Sequence, residues 1–375
     1  MALVVAVGLA ALLTPATAFG SQLRISATQL PTLPGTTFGR ALAINEHGQI
    51  AGFSGVAYEG TLHAVTWRDG QPTDLGPDRV ASLVNELGQV AGTLVTAPYG
   101  QHGLLWRDGA EIDLLPGAVG SVIPTALNNR GEILVSFTRL AGWETDRFGI
   151  WRDGALRELA LPDGAAPAPN VFAKAMNDRG EVAGAFLSQQ AGPNFPFRCA
   201  DACVRLPSPG GDDSYLEVVA INGRGQVVGS VQSTPGGKEA VRWTGGRMEL
   251  LRGLGGGVSR VAPSKQAINF AGHVVGLSQT AAGVNHAVLW RAGRTIDLGT
   301  LPGHDRSAAV AINDVGDVVG TSTTTDGRTH GFLWRKGRLH DLGAGTEPAA
   351  LNNAGQIVGW RSLPGGPAPV RRTVS

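Results

Sequence analysis

Several things are scarce in this chain. It holds 2 cysteines, 3 methionines and 3 tyrosines in 375 residues, and only 16% of its residues are charged. Two cysteines exclude a disulfide-dense scaffold, and with no second ligand pair nearby they exclude a structural zinc site. The 31 Lys+Arg and 30 Asp+Glu give a formal net charge of +1 with no basic stripe, which excludes nucleic acid and anionic membrane as partners. With 42% apolar residues the chain is also too hydrophobic to be disordered. Long hydrophobic runs are missing as well. Residues 3–13 are apolar but too short to span a membrane, and no later segment qualifies. That run precedes Ala16-Thr17-Ala18, an A-x-A cleavage pattern before Phe19, so residues 1–18 are expected to be a signal peptide. The basic residues that usually open such a signal are absent, the first charged side chain being Arg24. Either the α-amino group supplies the positive charge or some residues precede the given start. Residues 19–375 are expected to form one domain that is secreted, periplasmic or held at the cell surface.

What the chain does have is glycine, 55 of them, with 22 prolines. The glycines fall in a repeat. Asn-x-x-Gly occurs at Asn45, Asn85, Asn128, Asn177, Asn222, Asn269, Asn313 and Asn352, spaced 39 to 49 residues apart. A short apolar run precedes each Asn and another follows each Gly. This is a hairpin pattern, with Asn accepting backbone bonds and Gly taking the positive φ of a bulged type I turn. A second hairpin alternates with it. Runs ending near Trp67, Trp106, Trp151, Trp243, Trp290 and Trp334 turn through Asp-Gly or X-Gly pairs into strands such as Thr73-Asp74-Leu75. Four strands in about 44 residues is the blade size of a β-propeller.

The expected fold is therefore all-β: an eight-bladed β-propeller. Blades are expected at about 39–77, 80–116, 123–162, 171–207, 216–252, 263–300 and 307–343, with the eighth built from 347–374 plus 24–30. The last repeat lacks a fourth strand and the N-terminus has one to spare, so pairing the two would close the ring and leave no open edge. In each blade the strand before Asn would be innermost. Both tight hairpins would lie on one face of the disc and the longer, variable loops on the other.

The stretch HAVLWRAGRTIDLGTLPGHDRSAAVAINDVGDVVGTS, residues 286–322, resembles the HAF repeat family of extracellular bacterial proteins, named for a His-Ala-Phe opening. Here the opening reads His286-Ala287-Val288 and His330-Gly331-Phe332. The resemblance covers nearly everything after the signal and implies export and a repeated β-structure. Repeat four departs most, with Phe197-Arg198-Cys199 where a Trp is expected.

Cys199 and Cys203 bracket Ala-Asp-Ala at the roots of the second hairpin in blade four, and in an exported chain a disulfide across the turn is expected. A redox thiol pair would ordinarily be spaced C-x-x-C. His63, His102, His286 and His330 occupy equivalent positions, so they point outward around a circle and cannot converge on one metal ion. They are read as polar caps on the Trp strands. Several Asn-x-x-Gly turns carry no acid at all, as at Asn269 and Asn352, so turn chemistry rather than calcium explains them. The recurring Trp residues are read as packing between blades. Neither a metal nor a cofactor is expected.

Aromatics break the repeat in the loops between second and third strands: Tyr58, Tyr99, Trp143 and Phe195. Together they are the candidate ligand-binding surface, with Glu144, Asp146 and Asn194 as polar neighbours. The competing reading is that each aromatic pins its own loop. The function expected from sequence is a non-enzymatic binding or scaffold module, its partner a glycan or a protein, acting as a monomer. The alternative is a hydrolase or lyase with its site at the central channel on the variable-loop face, where His304, Asp305 and Arg306, with Asp212 and Asp213, are the candidate groups.

Overall fold

The computed structural model describes residues 23–56, 60–96, 100–118, 120–138, 146–160, 170–187, 194–209, 216–234 and 237–375. These form 32 β-strands and no helix, so no described helix is long and apolar enough to cross a membrane. Residues 1–18 lie outside the described residues.

The strands fall into four-stranded antiparallel meanders. Unit one is typical, with Phe38–Ile44, Ile50–Gly55, Leu62–Arg68 and Gln71–Pro77 paired in chain order. Its first turn is closed by Asn45 N–H to Gln49 C=O (3.0 Å) and Gly48 N–H to Asn45 C=O (3.1 Å), with Gly48 at φ 79°. Its second turn holds Asp69 and Gly70 at φ 49° and 79°, the left-handed pair that matches the twist of the flanking strands.

Where eight separate sheets are expected, the described residues form seven. Six have four strands. The seventh has eight, because units five and six are bridged by one parallel pair, Lys238 with Val258. In unit eight, Thr346–Leu351, Gln356–Arg361 and Ala368–Val374 are completed by Ile25–Gln29 from the other end of the chain. That strand pairs from Ile25 opposite Val374 to Gln29 opposite Val370.

Neighbouring sheets pack face to face. Ala51 and Ala64 of unit one meet Ala81, Leu104 and Trp106 of unit two, and Leu333 of unit seven meets Leu351 and Ile357 of unit eight. A further cluster joins Ile50, Val65 and Trp67 of unit one to Ala350 and Val358 of unit eight. Trp67, Trp151 and Trp243 are fully buried, and each such side chain contributes roughly 1.5–3 kcal/mol. Unit four lacks the Trp. Cys199 occupies its register position opposite Val182, and Phe197 lies against Gly184 as Trp67 lies against Gly52. The Cys199–Cys203 disulfide is formed, at a Cα–Cα distance of 3.9 Å.

Unit six also departs from expectation. Its first strand is Gly255–Val261, well before residue 263, and residues 262–266 are inserted between it and the turn at Asn269.

Candidate active site at the central channel

An Asn opens the turn that follows the first strand of each unit, and the eight asparagines are joined. Asn45 Nδ2 donates to the Asn85 carbonyl (2.9 Å), Asn85 to Asn128 (2.9 Å), and so on from unit to unit. Asn128, Asn177, Asn222, Asn269 and Asn313 repeat the bond, and Asn352 donates back to the Asn45 carbonyl (3.0 Å). Each Asn is buried, so its donor and the carbonyl it meets would otherwise go unsatisfied.

The next residue of each turn builds a second circuit. Glu86 accepts the Glu46 N–H, Asn129 the Glu86 N–H and Asp178 the Asn129 N–H; Asp314, Asn353 and Glu46 accept from Phe270, Asp314 and Asn353. Gly223 and Phe270 interrupt it, neither having a side chain that can accept. Burial, together with the Glu86 and Asp314 charges, pushes the Glu46 carboxyl above its ordinary range.

Behind the asparagines, first strands carry one extra residue each, a bulge that places Leu42, Ser82, Val310 and Ala349 on the lumen side. Together the first strands enclose a cavity of ≈ 700 Å³. Leu83, Leu127, Met176, Ile221 and several alanines supply apolar wall, and Lys265 and Glu347 are its titratable groups. Glu347 accepts a hydrogen bond from Ser362 Oγ (2.8 Å). Lys265 comes from the unit-six insert. Its side chain is exposed to the lumen yet has protein on every side, and this desolvation pushes its pKa down to about 7. Water in the lumen acts in the opposite sense, so about 7 is the lower end of the shift.

Of the residues expected to bind ligand, Tyr58, Tyr99 and Trp143 lie outside the described residues, as do Glu144, Asp212, Asp213 and the side chain of Asp146. Phe195 corrects the expectation. It is 4% exposed, stacked on Phe186 at 4.6 Å, with the Arg205 guanidinium 3.8 Å over its ring. Both faces are covered, so it cannot stack on a ligand. Asn194 is half-buried beside it. His304 lies away from the axis, edge-on to His330 at 4.8 Å in a third strand, with its Nδ1 buried and unpartnered. Asp305 accepts from Thr325, and Arg306 opens a first strand.

The repeated histidines are clasps rather than caps. His63, His286 and His330 pair through Nδ1 with Asp74, Asp297 and Asp341 of the fourth strand at 2.9–3.0 Å, and His102 lies 3.6 Å from Asp113. The same carboxylates accept the N–H groups of Gly76, Gly299 and Gly343. The sequence carried a readable signal for this, because every pair is 11 residues apart.

No protein-family model and no curated protein sequence matches the chain. Solved structures do. The chain is similar to the β-propeller domain of the Trilobed protease from Pyrococcus furiosus, with TM-score 0.52 and 12% identity over 82% of this chain and 98% of that one. That domain is described as having an open velcro topology, whereas here Ile25–Gln29 is bonded into the last sheet. A puromycin-hydrolysing peptidase of Mycobacterium tuberculosis matches with TM-score 0.52 and 17% identity over 92% of this chain and 57% of that one. Dipeptidyl peptidase 4 of Porphyromonas gingivalis matches with TM-score 0.56 and 11% identity over 84% and 55%. The chain thus spans nearly all of the isolated propeller domain and just over half of each of the two peptidases. Identities this low show the fold alone, a β-propeller. The neighbours nevertheless overturn the expected non-enzymatic binding or scaffold module, and the expectation that the chain is not an enzyme. These three are peptidases or a domain of one.

Proposed function

We propose that the protein acts in peptide hydrolysis, as an eight-bladed propeller whose central channel receives the substrate. Closure into eight blades is supported by the asparagine circuit that returns from Asn352 to Asn45, and by the N-terminal strand filling the fourth place of unit eight. The observation that carries the reading is the channel itself. A cavity of ≈ 700 Å³, its wall divided between apolar side chains and polar groups, is the size of a small-ligand site, and it lies in a fold shared with peptidases. Export is part of the proposal, in keeping with the HAF-repeat resemblance. The Cys199–Cys203 disulfide supports an oxidising compartment.

The test is incubation of the full chain with defined peptides of increasing length, with products read by mass spectrometry. Cleavage is expected for short peptides. It is expected to disappear in an Ala43→Trp, Val310→Trp double variant, which fills the lumen, at unchanged melting temperature. Intact peptides at all lengths, with no saturable peptide binding, overturn the reading.

A further inference from the structure

The eight units differ at one place that matters to the lumen. Where other first strands have a single bulged residue, unit six inserts residues 262–266. The insert is held on both sides. Gln266 Nε2 donates to the Leu351 carbonyl (2.7 Å), and the Leu351 N–H donates to Gln266 Oε1 (3.1 Å). The Gln266 carbonyl accepts the Ile312 N–H (2.9 Å). Ser264 closes the insert internally, its carbonyl accepting from Ala267 and its Oγ from Gln266. Units six, seven and eight therefore fix this segment together, and it is a built part of the channel wall.

What it presents is Lys265. No carboxylate among the described residues pairs with this ammonium, and the other titratable group on the wall, Glu347, is bonded to Ser362. Other cations of the protein are offered carboxylates, as Arg335 is by Asp317 and Arg198 by Glu181. A cation held on the channel wall without a salt-bridge partner among the described residues is open to an anion arriving from outside.

We propose that Lys265 is an anchor for the carboxylate of a ligand in the channel, the ligand being an apolar peptide with a free C-terminal carboxylate. The peptide identity rests on the proposed function; the anion anchor does not. A singly charged carboxylate fits better than a doubly charged phosphate group because, among the described residues, Lys265 is the one cation lining the cavity and Glu347 shares its wall. An apolar body fits because Leu83, Leu127, Met176 and Ile221 share the wall.

Calorimetric titration of the full chain at pH 6, with Leu-Leu-Phe, its C-terminal amide and hexanoate as probes, tests this. The free acid is expected to bind at least ~10-fold more tightly than the amide, as one charge-assisted hydrogen bond implies. Lys265→Met is expected to remove the difference, and Lys265→Arg to keep most of it. In the unmodified protein, hexanoate is expected to move the titration of the Lys265 side chain, followed by NMR at Cε, to higher pH. Equal binding of acid and amide, or a preference that survives in a folded Lys265→Met variant, overturns the anchor, as does a Lys265 titration indifferent to hexanoate. Lys265-dependent hexanoate binding without any peptide binding upholds the anchor and overturns the peptide reading.

Discussion

Asn85 satisfies three groups with one side-chain amide. Its Oδ1 accepts the Gln89 N–H (2.9 Å), and its Nδ2 donates to Gln89 Oε1 (2.8 Å) and to the Asn128 carbonyl of the next unit (2.9 Å). Asn85→Leu strands the Gln89 N–H and the Asn128 carbonyl in a buried place, so unfolding free energy is expected to fall by about 2–4 kcal/mol. The neighbouring Glu86→Ala gives up an exposed acceptor and is expected to cost less than about 1 kcal/mol. Guanidinium denaturation of the two variants measures the contrast. Lys265 makes a pH prediction of the opposite kind. Its folded pKa, about 7, lies below the ordinary lysine value of 10.5, so between these values the unfolded chain holds more protons than the folded one. Stability from this group therefore rises with pH through that window. Lys265→Met is expected to melt higher than the wild type at pH 6, with the gap closing toward pH 10. Comparable gaps at both pH values would mean that the side chain acts through packing alone.

At the scale of strands and turns, the second glycine of motifs such as Gly225-Gln226-Val227-Val228-Gly229 has a steric cause. The bulge in the first strand turns a carbonyl toward the second, and a Cβ on Gly229 would land on the Glu217 carbonyl oxygen. Gly229→Ala is expected to cost at least about 1–3 kcal/mol by overpacking, read from its denaturation midpoint. Unit three places Val135 at the equivalent position, so tolerance depends on the local course of the bulge. The Cys199–Cys203 link closes a very small loop, and reducing it is expected to cost no more than about 2 kcal/mol, measured as the midpoint shift with dithiothreitol. Turns of this sort were legible in the sequence because their chemistry is local: Asn, Gly and Asp-Gly act on their own backbone. Contacts between units were not. Lys265-Gln266-Ala267-Ile268 looks like an ordinary approach to Asn269, and only its bonds to Leu351 and Ile312 reveal an insert. Phe195 was misplaced for a related reason. It begins a third strand whose inward face is filled by phenylalanine in place of Trp, and nothing in the residue itself says which way it points.

For the molecule as a whole, the N-terminal strand is the decisive element. It is largely exposed and contributes little apolar burial, so its value is in the five-residue ladder with Ala368–Val374 and the flanking pair between Arg24 and Ser375. Deleting residues 1–29 would leave that last strand as an edge with unpaired N–H and C=O groups, the kind of template that draws other chains into pairing. The deletion is expected to lower stability by about 3–5 kcal/mol, counting roughly 0.5–1.5 kcal/mol for each lost bond, and to promote self-association seen by light scattering. A synthetic peptide of residues 23–30 should reverse both effects. Where the damage spreads tells ring from row. In a row of units, hydrogen exchange would quicken in unit eight alone. In a closed ring, Ile50, Val65 and Trp67 of unit one share a core with Ala350 and Val358 of unit eight, and Asn352 bonds to Asn45, so loosening unit eight must loosen unit one as well. Faster exchange in the strands Ile50–Gly55 and Leu62–Arg68, with unit four unchanged, is the expected pattern, and unchanged protection in unit one would sink the closed ring.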